Sequence, residues 1–148
     1  MKCFTIGYGG RRPQDFISLL KQNSVKIVID VRLKPNHAYI GSYVKAKDPN
    51  KGIQALLRNH EISYLHIKEI GNPFLENKNW SIQYEKYLEE NGDSLISDLI
   101  KITEPFCLLC AEKKVEENGV VNCHRKLIAD YLSSRRDLGL DYEFIHIE

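Results

Sequence analysis

The sequence predicts an α/β fold in a single domain, doubly wound, with a mainly parallel five-stranded sheet and helices on both faces. Three observations predict it. Short apolar runs alternate with stretches of helical periodicity, the pattern left by strands that are joined through helices. Two of these runs, KIVIDV and PFCLLC, are apolar on both faces, as central strands covered by helices must be. The 148 residues, 43% hydrophobic and 28% charged, suffice for one packed core and exclude a two-domain enzyme or a disordered tail protein.

Taken in order, the first strand is expected over Cys3–Gly7. A glycine-rich turn leads from it to a helix that starts at Pro13, a residue suited to a first helical turn, and runs to about Gln22 with Phe16, Leu19 and Leu20 on one face. The second strand spans Lys26–Val31, and residues 51–60 place Ile53, Leu56 and Leu57 at helical spacing before a third strand at Ser63–Lys68. A long helical region from about Trp80 to Thr103 puts Trp80, Tyr84 and Tyr87 on a core face. It is expected to stop at Asn91-Gly92 and restart near Asp93 or Ser94. The fourth strand is Pro105–Cys110, and a loop of nine residues after Lys113 leads to the last helix. That helix starts at Asn122 or Cys123 and ends near Gly139, with Leu127, Ile128 and Tyr131 toward the sheet. The fifth strand, Tyr142–Ile147, alternates more and is placed near an edge. Two irregular stretches, Lys34–Asn50 and Gly71–Asn79, are long for a compact domain and read as lids or binding loops.

The formal charge of +1 recruits neither DNA nor an anionic membrane through an overall field. The average hides an asymmetry: residues 1–60 hold 11 basic and 3 acidic side chains, whereas residues 61–148 hold 10 basic and 17 acidic. An anion site is therefore expected to draw on the N-terminal part. No apolar run approaches the roughly 18 residues that span a bilayer, and no signal peptide pattern is present, so a cytoplasmic location without a membrane partner is expected. Four cysteines are too few for a disulfide scaffold and are expected as reduced thiols.

Three motifs carry candidate chemistry. In Thr5-Ile-Gly-Tyr-Gly-Gly-Arg-Arg-Pro13, Gly7, Tyr8 and Gly9 let backbone amides approach an anion and Arg11 adds charge; the plain alternative is a tight turn with solvated arginines. At the end of a buried strand, Asp30 and Arg32 are two residues apart and share one side at the sheet's carboxyl edge, where open α/β sheets bind ligands; a structural ion pair is the alternative. The third motif, Leu108-Leu-Cys-Ala-Glu-Lys113 with Cys123-His-Arg125, is the strongest. Cys107 and Cys110 belong to one strand and point to opposite faces, so a thioredoxin-like pair is rejected and Cys107 is a core residue. Cys123, at a helix start, gains from the positive end of the dipole, and a short connection brings it near Cys110.

These residues fit a cysteine nucleophile, Cys110 or Cys123, with Glu112 or His124 as proton shuttle and with Arg11, Arg32 and Arg125 holding an anionic substrate. They also fit a dithiol–disulfide couple, or zinc on Cys110, Cys123 and His124. Adjacent residues seldom both reach one metal and a fourth ligand is not evident, so neither metal nor cofactor is expected. The plainest reading makes both cysteines small buried hydrophobes. His66 and His146, within strands, are read as structural, while Tyr39 and Tyr43 with nearby lysines are candidates for stacking on a nucleotide or single strand.

TIGYGGR, DVR with its following proline, Ile62-Ser-Tyr-Leu-His-Ile-Lys-Glu-Ile-Gly71, LLCAEK and CHR occur together and in this order. The set resembles the bacterial and archaeal family known as domain of unknown function 488, over nearly the whole chain. The resemblance implies one α/β domain whose motif residues gather at one end of the sheet, and it implies no assigned reaction. Many relatives carry a histidine where this chain has Tyr8, a serine near Asn36, and Gly-Gly where it has Gly71-Asn72. A tyrosine does not replace a histidine as general base at neutral pH without a strongly lowered pKa, so Tyr8 is taken only as a binding residue.

The leading expectation is a small enzyme with a cysteine-containing site that acts on a phosphate-bearing or nucleotide-like anion, as a transferase or hydrolase. A nucleic-acid or regulatory binding module without catalysis, and a thiol-redox or zinc domain, are the alternatives.

Overall fold

The computed structural model describes residues 1–148. Five parallel strands form one sheet: β1 (Lys2–Gly7), β2 (Ile27–Asp30), β3 (Ser63–His66), β4 (Phe106–Cys110) and, last in the chain, β7 (Glu143–Ile147). Their spatial order is β3-β2-β4-β1-β7, so β4 inserts between the first two strands, and the sheet is wholly rather than mainly parallel. The apolar runs of β2 and β4 occupy interior positions, and the alternating β7 lies at an edge. Parallel pairing requires crossovers, and the helices α1 (Pro13–Gln22), α2 (Gly52–Arg58), α3 (Trp80–Leu95) and α4 (His124–Ser134) supply them.

Two cores result, one on each face. Phe16, Ile17 and Leu20 of α1 and Ile53 and Leu57 of α2 pack on Phe4, Ile6, Val28, Cys107 and Leu109. On the other face, Tyr84 and Leu88 of α3 and Leu127, Ile128 and Leu132 of α4 cover Cys3, Ile29, Phe106, Leu108 and Cys110. The strand alternation thus sends Cys107 and Cys110 into different cores, which removes any pairing between them. The sheet is doubly wound.

Three expectations about elements are corrected. Helix α3 does not stop at Asn91-Gly92 but runs unbroken to Leu95. Gly92 is an interior helical residue because the Tyr131 hydroxyl of α4 occupies its side-chain space, where an added Cβ would stand 2.2 Å from the oxygen. The last helix ends at Ser134, before Gly139, and a short 3₁₀ turn at Arg136–Leu138 follows it. The loop before it contains a small hairpin, β5 (Glu116–Glu117) with β6 (Val120–Val121). Asn118 and Gly119 both have positive φ there, the two-residue turn that an Asn-Gly pair favours.

Candidate functional site

A cleft of about 480 Å³ opens at the carboxyl edge of the sheet, where β1, β2 and β4 end and α4 begins. The last residue of β4 and the cap and first residue of α4 form its floor: Cys110, Cys123 and His124. All three are buried, and their donor atoms lie within 4.8 Å of one another. Nε2 of His124 is 2.8 Å from the carbonyl oxygen of Val31, which only accepts, so this nitrogen donates. Nδ1 is left facing the sulfurs, 3.8 Å from Cys110 and 3.9 Å from Cys123. Tyr84 meets the imidazole edge-on, 5.2 Å between centroids, and its own hydroxyl donates to the Ile70 carbonyl at 2.6 Å.

The two sulfurs are electrostatically unlike. The neighbouring Cys123 thiol lowers the Cys110 pKa well below the ordinary thiol value, against the cost of burial, and the charges of His124 and Arg125 add to the effect. Burial and the nearness of Cys110 push Cys123 upward. Cys107, in the other core, is raised by burial. Cys110 is therefore the sulfur that carries negative charge first.

Asp30 and Arg32 form a buried bidentate pair in the cleft wall, with Nε to Oδ1 at 2.9 Å and Nη2 to Oδ2 at 2.7 Å. The Tyr64 hydroxyl and the Arg32 amide also donate to this carboxylate. Burial weakens the charge of Arg32, but Asp30 more than offsets this and keeps the guanidinium firmly protonated. Its plane lies over the ring of Tyr8, 5.1 Å from guanidinium carbon to centroid, and Tyr8 stacks in turn on Tyr43 at 4.7 Å. Tyr8 is thus a support for Arg32 within the wall.

The other motif residues sit elsewhere. The structure does not bring Arg11 or Arg125 into the cleft. Arg11 donates to the carbonyls of Gly7 and Ile147, and the fully buried Arg125 donates to Thr5 Oγ1 and to the carbonyls of Glu112 and Lys113. Both guanidinium groups tie loop backbone to strand ends. In the glycine-rich turn the amides of Tyr8 and Gly9 are already engaged, donating to the carbonyls of Cys110 and Ala111. Gly7 is required by contact, since a Cβ there would stand 1.7 Å from the Glu112 carbonyl oxygen. Glu112 lines the cleft with an exposed side chain that hydrogen-bonds to neither sulfur nor His124. Tyr43 is buried and donates to the Arg11 carbonyl, so stacking on a ligand is closed to it. His66 contacts the Arg32 carbonyl and His146 contacts Thr5, both as structural partners.

Sequence reasoning missed Asn72. It lines the cleft, is 5% exposed, and its Oδ1 accepts the Phe74 amide hydrogen at 2.9 Å. Asn-Pro signals a turn, and nothing in that signal points inward. Both irregular stretches do reach the cleft, through Lys34 and His37 of the first and Asn72, Pro73, Leu75, Glu76 and Asn77 of the second.

Cys110, Cys123 and His124 could also hold a thiophilic metal ion. In a tetrahedral zinc site sulfur and nitrogen ligands stand about 3.6 Å apart, close to the separations here, and a ligating histidine commonly donates its second N–H to a carbonyl. The objection that neighbours in sequence do not reach one ion fails for Cys123 and His124, because the strand-to-helix transition between them turns both side chains toward Cys110.

The family described as domain of unknown function DUF488 matches the chain over residues 12–132. No curated protein and no solved structure matches it. No helix is long and apolar enough to cross a membrane.

Proposed function

Since the chain belongs to the DUF488 family, whose description assigns no reaction, we propose a function from the cleft itself: a thiol-dependent transferase or hydrolase with Cys110 as nucleophile. One observation carries this reading. Nδ1 of His124, its partner nitrogen committed to Val31, faces Cys110 at 3.8 Å in a cleft large enough for a small substrate. The Cys110 sulfur bonds to the substrate's electrophilic atom as the bond to the leaving group breaks. The leaving group takes from Nδ1 of His124 the proton that this nitrogen has received from the Cys110 thiol, and water or an acceptor then gives a proton back to Nδ1 as it displaces the sulfur. The neighbouring Cys123 thiol favours the thiolate of Cys110 and keeps it poised.

The test is alkylation by iodoacetamide, followed by mass spectrometry across pH. Because the Cys110 pKa is lowered, its alkylation rate is expected to be level from neutral pH upward and to fall only in acid. An ordinary thiol would keep gaining rate until about pH 8.5. Cys123→Ala is expected to move that profile most of the way to the ordinary one, and His124→Asn a smaller part of it. Equal labelling of Cys110 and the core residue Cys107 would defeat the assignment. The spacing of the three donor atoms favours one second reading, a zinc site with its fourth position open to the cleft. One equivalent of zinc in protein purified without chelator, with Cys110 protected from alkylation until the metal is removed, would select it.

A further inference from the structure

We infer that the cleft binds its substrate through an oxyanion, a carboxylate or a phosphate, received by Nη1 of Arg32 and Nδ2 of Asn72. The inference rests on the cleft being the substrate site, but not on the thiol chemistry proposed for its floor.

Two buried side-chain atoms lack a hydrogen-bond partner, Nη1 of Arg32 and Nδ2 of Asn72. Both are donors, and both residues line this cleft at 5% exposure. A buried donor without an acceptor costs about 1–3 kcal/mol, and folded proteins keep such groups where a ligand completes them. Neither side chain is free to turn away. The other two nitrogens of the Arg32 guanidinium are held by Asp30, while the Tyr8 ring backs its plane. The Asn72 amide has its orientation set by the Phe74 N–H, which needs the oxygen and so leaves the NH₂ group as the orphan. The acceptor must therefore come to them.

The fold brings the two residues to one cleft by a close backbone approach. A Cβ on Gly71 would stand 2.8 Å from Cα of Leu33, so the chain just before Asn72 lies against the chain just after Arg32. Tyr84 and Tyr87 of α3 hold this segment by donating to the carbonyls of Ile70 and Glu69. Charge favours an anion over a neutral carbonyl on this wall. The Asp30 carboxylate is already satisfied by Tyr64 and the Arg32 amide as well as by the guanidinium, and the exposed Lys34 lines the same cleft. The acidic side chains of the cleft, Glu76 on the stretch that carries Asn72 and Glu112 after β4, are both exposed.

The experiment is a titration of the ¹⁵N-labelled chain with sodium phosphate and, separately, with sodium acetate at constant ionic strength set by sodium chloride. Saturable shifts of the Asn72 side-chain amide, with those of Asn59 unmoved, are expected from at least one anion. Saturation by phosphate alone identifies a phosphate-bearing substrate, and saturation by acetate identifies a carboxylate. Asn72→Asp keeps the acceptor for the Phe74 amide, and its added negative charge is expected to weaken binding at least tenfold. Saturation by neither anion in the unsubstituted chain, or undiminished affinity in Asn72→Asp, overturns the inference. The titration reads anion binding without any step at sulfur, so a failure of the thiol reading leaves this result standing.

Discussion

At the scale of single residues, two buried polar clusters make stability depend on charge in opposite ways. Asp30 is fully buried, and its carboxylate is the counter-ion of a guanidinium that is itself 5% exposed. Removing one member of a buried ion pair leaves the other uncompensated, so Asp30→Asn is expected to lose about 3–5 kcal/mol in urea denaturation. A loss under about 1 kcal/mol would mean that water reaches Arg32 more freely than its burial implies. His146, bonded to Thr5, has its pKa lowered by burial and then by the charges of Lys126 and Arg125. The folded state therefore holds its proton less tightly than the unfolded state does. That contribution to stability is complete above the unfolded pKa of about 6.5 and fades as pH falls toward the lower folded value. His146→Asn is expected to flatten the loss of stability between neutral pH and pH 5; an unchanged slope would place the titrating group elsewhere.

At the scale of elements, helix α3 shows why local propensity did not settle its own boundary. Asn-Gly is a helix stop by composition, and the helix continues through it because α4 packs there and needs a residue without a side chain. Tyr131 on α4 and Arg135, which follows the end of α4, hydrogen-bond to Asp93 on α3, so this contact is where the two helices of one face are joined. Alanine is the better helix former by about 1 kcal/mol, yet Gly92→Ala is expected to destabilise, because its Cβ would collide with the Tyr131 hydroxyl. In a double-mutant cycle, the Gly92→Ala penalty is expected to vanish or reverse in a Tyr131→Ala background. If the penalty persists there, the cause is not that contact. The small hairpin between β4 and α4 is the converse case. Its Asn118-Gly119 turn is a short-range signal, strong enough to read without any tertiary partner.

At the scale of the whole molecule, the cleft exists because three strand ends, one helix start and two long loops meet at a single edge. Gly71 is the contact on which that meeting turns. Gly71→Ala is expected to push the segment away from Leu33, lowering thermal stability and weakening anion binding together, whereas Asn72→Asp weakens binding alone. If Gly71→Ala binds phosphate or acetate as the unsubstituted chain does, the close approach is packing without consequence for the cleft.

Much of this was legible in the chain as written. The apolar runs of β2 and β4, the helical periodicities between them and the period-two alternation determined an α/β sheet, its interior strands, and the separation of Cys107 from Cys110. Those features depend on which face of a local element is apolar, and a sequence carries that directly. The convergence of Cys110, Cys123 and His124 was legible to the extent that a strand exit and a helix start are linked by a short connection. Where a polar side chain is consumed was not. Arg11, Arg32 and Arg125 are alike as residue types, yet Arg11 spends its donors on the carbonyls of nearby Gly7 and distant Ile147, and Arg125 on those of Glu112 and Lys113. Only Arg32 reaches the cleft with a nitrogen to spare. Which donor finds an acceptor is decided largely by backbone far away in sequence, so tertiary structure alone could separate the structural arginines from the one that lines the cleft, and alone could reveal Asn72 in the same cleft.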